Sequence, residues 1–409
     1  MNFTRYPFGL PHSRVPSQQP NKPSKHGKEK QPSKPHDARP KKAPPLAFVS
    51  LGLTQLEDIK HPGREVVRNV LGGPGLYSMA GARIIAGHAR RREIGYLGVV
   101  GVDGLPRREL DGLLAWDTQL LIVGERGQET TRAVVAYEEY PSQPFRLATW
   151  RFTTPPLHPH TLDAFHSRPQ LSTASAIHLF GAPVLITSQI TTLLELRSPG
   201  APRLLLVWEP DPATLTAHTL PAYLNACRLV DVFSPSDVEL TKLFTLTPVP
   251  RFRARAIEHY ATLLLEQGIG PDRRGTLVVR AGAHGCLVAS RRQGAEMVWL
   301  PAYYHRDEVN AEAAVVDVTG AGSVFLGALA YALSAGGLGM GMGMGDVVQA
   351  AKVAMVAASF RVERVGLPRV VRVADGDSEE LWNGASVAER RRRYLRGVEG
   401  EVYLPASDG

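Results

Sequence analysis

The sequence predicts an α/β fold built on a doubly wound, mostly parallel sheet that is flanked by helices. Three observations predict it. Short, continuously apolar runs, typical of buried parallel strands, alternate with stretches whose apolar residues recur at helical spacing. A turn of small residues leads directly into an apolar helix at residues 320–328. Residues 119–153 break the rhythm with the two-residue period of half-exposed strands, which predicts a small antiparallel β lid.

The predicted elements follow in chain order. The strands are short runs of aliphatic and aromatic residues, expected at 47–51, 94–100, 176–180, 204–208, 229–233, 277–280 and 286–289. The helices have apolar residues at i, i+3 and i+4, and are expected at 76–86, 188–196, 237–244 and 257–267. The lid strands are expected at 128–137 and 146–154, around a proline-containing turn. A glycine- and methionine-rich run at 336–345 is expected to link two helices.

The positive charge of this 409-residue chain lies at its amino end. Residues 1–45 contain seven Lys and three Arg against two acidic residues, a net charge of +8 that equals the formal net charge of the whole chain. With ten of the 32 prolines and few aliphatic residues, this segment is expected to be a disordered tail. Three roles stay open for it: a merely solubilising tail, an electrostatic contact with a polyanion or acidic partner, and a nuclear import signal at 39–42.

The rest of the sequence predicts one globular domain over residues 46–372 and a carboxyl-terminal extension over 373–409. In the extension, Ser386 and Glu389 form a capping-box pattern ahead of four consecutive arginines, which predicts a helix with a solvated basic face. No apolar run reaches the length of a bilayer span and no secretory signal is recognised, so a cytoplasmic protein is expected. The oligomeric state stays open, with a homodimer among the alternatives.

Most cysteine and histidine residues favour structural roles. Cys227 and Cys286 are 59 positions apart without a C-x-x-C pattern, which favours buried thiols in a reducing compartment over a disulfide or a zinc site. His158 and His160 lack further ligands at supporting spacing, so a proline-rich loop is favoured over a metal site. His178 lies in an apolar strand and is expected to be a hydrogen-bonded core residue.

The most informative motif is the turn at residues 317–323, D-V-T-G-A-G-S, which opens the apolar helix. Glycines at 320 and 322 allow the backbone amides to converge, and amides at a helix amino terminus bind anions such as phosphate. An ordinary strand-to-helix turn with Ser323 as N-cap is an equally weighted alternative. No G-x-x-x-x-G-K-[ST] sequence occurs, which excludes a Walker-type phosphate loop, and residues 73–78 lack the third glycine of a dinucleotide fingerprint.

This turn and helix resemble the second signature of the PfkB (ribokinase-like) carbohydrate kinase family, which reads D-T-x-G-A-G-D-x-F-x-G-A. The matching residues are Asp317, Gly320, Ala321, Gly322, Phe325, Gly327 and Ala328, while Val318 stands where the signature has its Thr and Thr319 lies at the unspecified position. Gly72, Gly73 and residues 98–104 are similar to the first signature. Stretches near 280–286, 300–303 and 358–368 look closest to the fungal maintenance-of-killer branch of the family.

The resemblance implies a ribokinase-like fold that transfers the γ-phosphoryl group of ATP to a hydroxyl of a sugar-like substrate, with Mg²⁺ and a monovalent cation as further cofactors. The residues that it places at the anion hole are Gly320, Ala321 and Gly322. Those implied at the substrate are Asp58, Gly72, Gly73 and Tyr77. Those implied at the nucleotide are Gly282 and Gly285, with His284 between them as either a nucleotide contact or an exposed turn residue. Glu239 is implied near magnesium and Asp317 near the monovalent cation.

Besides Val318, three residues depart from the family pattern. Ser323 stands where the signature has its catalytic Asp, the base that takes the proton of the attacking hydroxyl. Tyr77 replaces the Asn after the paired glycines, and Ser236 replaces the Asn of the N-x-x-E motif. A positioned general base contributes about 10²- to 10⁴-fold to a rate. The sequence therefore predicts either a carbohydrate kinase of weak activity or a non-catalytic pseudokinase that acts as a ligand-dependent interaction protein.

Overall fold

A computed structural model of the chain describes residues 46–124, 127–138, 145–151, 161–162, 173–197, 201, 203–246, 252–291, 296–305, 314–334, 337–339, 342–372, 380–398 and 403–405. The predicted basic tail at 1–45 and the loop with His158 and His160 lie outside the described residues. So do parts of the glycine- and methionine-rich run, which ends where a helix begins at Met344.

Nine described strands form the central sheet. They are β1 Phe48–Leu51, β4 Ile94–Val100, β5 Gln119–Gly124, β8 Ala176–Gly181, β9 Leu205–Pro210, β10 Val232–Phe233, β11 Thr276–Arg280, β12 Cys286–Ser290 and β13 Glu296–Leu300. Their order is β13-β12-β11-β10-β9-β8-β1-β4-β5. All pairs from β5 to β11 are parallel, and β12 and β13 add two antiparallel strands at one edge. The predicted α/β class is confirmed.

A separate four-stranded sheet forms the lid. Its strands are β2 Gln55–Lys60, β3 Val67–Gly72, β6 Arg132–Glu138 and β7 Phe145–Arg151, in the order β3-β2-β6-β7. The pairs β2–β3 and β6–β7 are antiparallel, and β2 and β6 are parallel. The structure departs from the expected lid in one respect, because residues 119–124 pair with β4 as the edge strand of the central sheet. Strands β2 and β3 replace them in the lid.

Helices cover the central sheet on both faces. They are α1 Pro74–Ala86, α2 Arg107–Leu114, α3 Pro183–Leu196, α4 Leu220–Cys227, α5 Asp237–Phe244, α6 Ala254–Gln267, α7 Ala321–Leu333, α8 Met344–Val362 and α9 Val387–Val398. Alternate strand residues enter two apolar cores, one with α1, α7 and α8 and one with α3, α4 and α6. Helices α1 and α7 touch through glycines, since a Cβ on Gly81 would lie 1.8 Å from the Val324 carbonyl oxygen.

The carboxyl-terminal extension packs onto the domain through buried charges. Strands β14 Val370–Arg372, β15 Glu380–Trp382 and β16 Ala385–Ser386 form a third sheet, so the predicted boundary at residue 372 falls inside it. Glu380 accepts two hydrogen bonds from the buried guanidinium of Arg83, at 2.6 and 2.8 Å. The Ser386 hydroxyl accepts from the Glu389 amide, which supports the predicted cap.

The expected solvated face of helix α9 holds only in part. Arg391, Arg392 and Arg393 are exposed, but Arg390 pairs with Glu363 and lies 3.8 Å from the centroid of the Phe360 ring. A long arginine side chain can cover apolar surface while it keeps an ion pair, which the run of four arginines does not reveal.

Cys227 and Cys286 are free and buried, as predicted, and burial raises the pKa of both thiols. Within the described ranges, none of the helices combines the length and the apolar character that a membrane span requires.

Candidate active site

The candidate site is a cleft between the lid and the carboxyl ends of the central strands, where ligands of open α/β sheets bind. It holds a free volume of about 60 Å³. The residues that line it come from β2, α1, the ends of β8, β9 and β11, and the amino ends of α5 and α7. They are Gln55, Glu57, Pro74, Tyr77, Phe180, Glu209, Pro212, Glu239, Arg280, Gly320, Gly322 and Ser323.

The predicted glycine turn lies at the amino end of α7. Gly320 is the N-cap and has a left-handed backbone, with φ 74°. Two side chains reach the turn: an ideal Cβ on Gly320 would lie 2.2 Å from Cδ2 of Tyr77, and one on Gly322 would lie 2.2 Å from Nη1 of Arg280. The glycines therefore allow an aromatic ring and a guanidinium group to approach the backbone that the sequence predicts as an anion-binding turn.

Ser323 has a different partner from the one expected of a helix cap. Its buried hydroxyl donates to Oε1 of Glu209 at 3.0 Å, and Gly320 occupies the N-cap position instead. The alternative in which Ser323 caps the helix is therefore wrong. The Ser323 side chain belongs to a polar network at the end of β9.

Glu209 is the centre of that network. Its Oε1 also accepts from Nη1 of Arg280 at 2.8 Å, and its Oε2 accepts from Nε2 of His178 at 3.1 Å. The second nitrogen of His178 is hydrogen-bonded to Ser50 at 3.1 Å, so the expectation of a hydrogen-bonded core histidine is confirmed. Burial alone would raise the pKa of Glu209, but Arg280 and the bonds from His178 and Ser323 hold that pKa below its ordinary value. Glu209 is therefore a carboxylate at neutral pH.

Glu209 was not identified from the sequence. The sequence did offer a signal, because Glu209 is a charged residue directly after a buried apolar run, and ligands of α/β proteins bind at the carboxyl ends of such strands. Arg280 gave the same signal at the end of β11.

Glu239 caps its own helix. The Ser236 amide donates to Oε2 of Glu239 at 2.8 Å, and the Glu239 amide donates to the Ser236 hydroxyl at 3.2 Å. Nη2 of Arg280 also donates to Oε2 of Glu239, at 3.3 Å. Burial raises the pKa of Glu239, while Arg280 opposes that shift. Arg280 thus spans two glutamates beside the glycine turn.

Magnesium was implied at this position by the family resemblance. The described residues contain no group of three His, Cys, Asp or Glu side chains arranged to hold a metal ion. The oxygen Oε2 of Glu239 already accepts from an amide and from Arg280. Oε2 of Glu239 is thus already hydrogen-bonded, and the local positive charge beside Glu239 is the guanidinium group of Arg280.

On the lid side, the acidic residue in the cleft is Glu57. Tyr77 donates its hydroxyl proton to Oε2 of Glu57 at 2.6 Å, and Gln55 donates to Oε1 at 2.6 Å. Successive strand side chains point to opposite faces, so Asp58 lies outside the cleft, where it accepts from the Asn69 amide at 3.1 Å. The structure therefore places Glu57, and not the expected Asp58, in the cleft.

The paired glycines and Tyr77 are brought together as expected. A Cβ on Gly72 would lie 2.5 Å from the Tyr77 hydroxyl, and Gly73, with φ 103°, is the N-cap of α1. Tyr77 is buried, and its ring stands between these glycines and Gly320. The tyrosine therefore fills the part of the cleft that joins the lid to the glycine turn.

Asp317 lies behind the turn and pairs with a buried arginine. Nη2 of Arg361 donates to Oδ2 of Asp317 at 2.8 Å, and the Tyr137 hydroxyl donates to Oδ1 at 2.5 Å. The Thr319 amide also donates to Oδ1, at 3.0 Å. Burial would raise the pKa of Asp317, but Arg361 and these hydrogen bonds keep it below its ordinary value. Arg361 was not identified from the sequence, although a lone arginine inside an apolar helix pattern was a signal.

The residues implied at the nucleotide are not among those that line the cleft. Gly282 and Gly285 bound a single helical turn between β11 and β12, with φ 55° and 84°. His284 is buried and stacks on Phe252 with ring centroids 3.8 Å apart. The alternative of an exposed turn residue is therefore wrong for His284.

Comparisons with known proteins identify the family. A model of pfkB family carbohydrate kinases matches residues 124–370. An uncharacterized protein of Schizosaccharomyces pombe is 27% identical over 361 residues, which cover 85% of this chain and 92% of that protein. Ribokinase from Giardia lamblia has a similar fold, with a TM-score of 0.61 and 16% identity over 80% of this chain and 96% of its own. A putative Ribokinase II from E. coli in complex with ATP and Mg²⁺ gives a TM-score of 0.56 and 16% identity over 86% and 99% of the two chains. The chain belongs to the pfkB family of carbohydrate kinases.

Proposed function

We propose that this protein binds ATP at the glycine turn and acts as a pseudokinase, with little or no phosphoryl transfer to a sugar. The observation that carries the proposal is the hydrogen bond from Ser323 to Glu209, at 3.0 Å. The residue at the position of the family's base is a hydroxyl whose proton is directed to a buried carboxylate. A neutral serine hydroxyl in that arrangement does not accept a proton from a sugar, so the general-base contribution of about 10²- to 10⁴-fold is lost.

The acceptor side of the cleft supports the same proposal. Tyr77, hydrogen-bonded to Glu57, takes up the space beside Gly72 and Gly320. The remaining volume of about 60 Å³ is small compared with pockets of roughly 300 to 1,000 Å³ that hold drug-sized ligands. A sugar-like ligand therefore requires displacement of the lid or of Tyr77, and either movement costs binding energy that would otherwise position the reacting hydroxyl.

Nucleotide binding is supported by the turn and by Arg280. The backbone at the amino end of α7 favours an anion, and Nη1 of Arg280 lies against Gly322. A guanidinium group offers paired donors to phosphate oxygens. Arg280 would then add a phosphate group to the two glutamates that it already contacts, and we expect ATP binding to persist in EDTA.

One observation favours a second candidate, a slow kinase that uses Glu209 as its base. Glu209 is an ionised carboxylate whose Oε1 lies 3.0 Å from the Ser323 hydroxyl, next to the position that the base normally occupies. Its depressed pKa and its bond to Arg280 make it a weak base. Glu209→Gln distinguishes the two candidates, because a slow kinase would lose about 10²-fold in turnover and a pseudokinase has none to lose.

The test measures binding and turnover separately on the full chain. Calorimetry is expected to show ATP and ADP binding with and without EDTA, and a coupled assay across a sugar panel is expected to show turnover far below the roughly 1 to 100 per second typical of kinases. Arg280→Met should weaken ATP binding at least about tenfold, and Arg274→Met, at an exposed position, is the matched control. Turnover at an ordinary kinase rate would overturn the pseudokinase. Absence of ATP binding in the folded protein would overturn the nucleotide site.

A further inference from the structure

The two terminal nitrogens of the Arg361 guanidinium group contact oxygen atoms of the protein. Nη2 donates to Oδ2 of Asp317 at 2.8 Å, and both side chains are fully buried. Nη1 donates to the backbone carbonyl oxygen of Arg364 at 2.6 Å and to that of Asp317 at 3.4 Å. One carboxylate and two backbone carbonyls are the ligand types that bind a dehydrated alkali cation. In this chain those oxygens are already taken by a side-chain cation.

An aromatic face closes the remaining side of this group. The guanidinium carbon of Arg361 is 4.8 Å from the centroid of the Tyr77 ring, and Nη2 is 3.3 Å from the Tyr77 hydroxyl. Burial would lower the pKa of Arg361, but Tyr77, Asp317 and Glu57 raise it above its ordinary value, so the group stays charged. A cation that cannot leave is therefore enclosed between Asp317 and Tyr77.

The family resemblance implies an exchangeable monovalent cation beside Asp317, and the residues present do not fit one. We infer that Arg361 is a built-in replacement for that cation, so that the protein neither binds nor requires potassium at this position. The group links the end of α8 to the turn that precedes α7, because Asp317 also accepts from the Thr319 amide at 3.0 Å. Arg361 thus acts as a positioning residue that holds the glycine turn in place. The inference does not depend on whether the protein transfers phosphate.

Thermal unfolding of the full chain in different salts tests it. Melting temperatures in potassium chloride and in choline chloride at equal ionic strength are expected to agree within about 1 °C, because a ligand that does not bind the native state does not stabilise it. A melting temperature that rises saturably with potassium over choline would overturn the inference. The measurement needs neither ATP nor a sugar, so its outcome is independent of the proposed function.

Variants at Arg361 provide the converse test. Arg361→Ala leaves Asp317 buried without its cation and opens a cavity, so we expect the melting temperature to fall by more than about 5 °C. Potassium, and not choline, should recover part of that loss with a saturable concentration dependence. Arg369→Ala, at an exposed position in the same segment, is the matched control and should show neither effect.

A second variant covers the case in which Arg361→Ala is too unstable to analyse. Arg361→Lys keeps one positive charge in the same place, and we expect it to fold and to remain insensitive to potassium. Potassium dependence in Arg361→Lys would show that a side-chain charge is not what fills the site. Arg361→Ala that is folded and destabilised, yet indifferent to potassium, would show that Arg361 serves packing alone and would also overturn the inference.

Discussion

Ser323→Asp introduces the residue that the family resemblance implies at this position, and we expect it to destabilise the protein at neutral pH. The Ser323 hydroxyl lies 3.0 Å from Oε1 of Glu209, and both residues are buried. The new carboxylate would therefore face an existing one. The nearest cation, Arg280, is already shared between Glu209 and Glu239.

The magnitude follows from this geometry. Two like charges about 4 Å apart repel by about 4 kcal/mol at an effective dielectric constant of 20, and Arg280 offsets part of that energy. We expect a net loss of about 2 to 4 kcal/mol in the free energy of unfolding at pH 7 to 8. The repulsion raises the pKa of one carboxyl above its unfolded value of about 4, so the folded state binds the proton more tightly. The deficit relative to the parent should therefore shrink as pH falls from 7 to 5.

Urea unfolding at several pH values measures this effect. Ser323→Asn introduces a side chain of the same size as Asp without its charge and is the control for steric effects. Its loss in the free energy of unfolding relative to the parent should not depend on pH. In a double-mutant cycle with Glu209→Gln, the two substitutions should couple by about 2 to 4 kcal/mol in the favourable direction. Equal losses for Ser323→Asp and Ser323→Asn, or a coupling energy near zero, would refute the charge argument. Turnover in Ser323→Asp should stay at background.

Three further predictions concern the fold and the tail. Glu380→Gln breaks a buried ion pair with Arg83 and should lower the free energy of unfolding in urea by about 3 to 5 kcal/mol. Asp111→Asn breaks an exposed ion pair and should lower it by less than about 1 kcal/mol. Equal losses for the two variants would contradict the role of burial. Gly285→Ala puts a Cβ 1.8 Å from the carbonyl oxygen of Leu300 and should lower the melting temperature. Gly282 also has a positive φ, but a Cβ there would meet no atom within 4 Å, so Gly282→Ala should lower the melting temperature far less. Deleting residues 1–45 should leave the urea midpoint unchanged and weaken heparin binding at low salt, and a lowered midpoint would show that the tail packs on the domain.

Seven of the nine described strands of the central sheet, β1, β4 and β8–β12, could be predicted from the sequence because they are buried on both faces. Such strands are continuous apolar runs, and residues 94–100 were placed with the observed bounds. The partly buried edge strands β5 and β13 were not predicted as part of this sheet. Strands β2 and β3 were missed for a physical reason. The buried side of β2 carries Gln55 and Glu57, which satisfy each other by hydrogen bonding, so the expected alternation of apolar and polar residues is absent.

The candidate site was predictable only where one short segment forms it. The glycine turn follows from local spacing, and the structure places it at the start of α7 as expected. Glu209, Arg280 and Arg361 come from other elements, and their contacts depend on strand order and side-chain direction. Asp58 shows how sensitive such assignments are, because a shift of one residue along a strand moves a side chain to the other face.

The substitution of Asp by Ser in the signature, taken alone, suggests the loss of one catalytic group from an otherwise intact kinase. In the structure, ion pairs between arginine and carboxylate groups lie close to that position. Arg280 lies between Glu209 and Glu239, and Arg361 lies against Asp317. Both guanidinium groups stand where the family resemblance implies exchangeable cations, on the two sides of the glycine turn. A carboxylate at position 323 would upset the first of these charge balances without removing either arginine, so single reversions toward the signature should cost stability before they restore any chemistry.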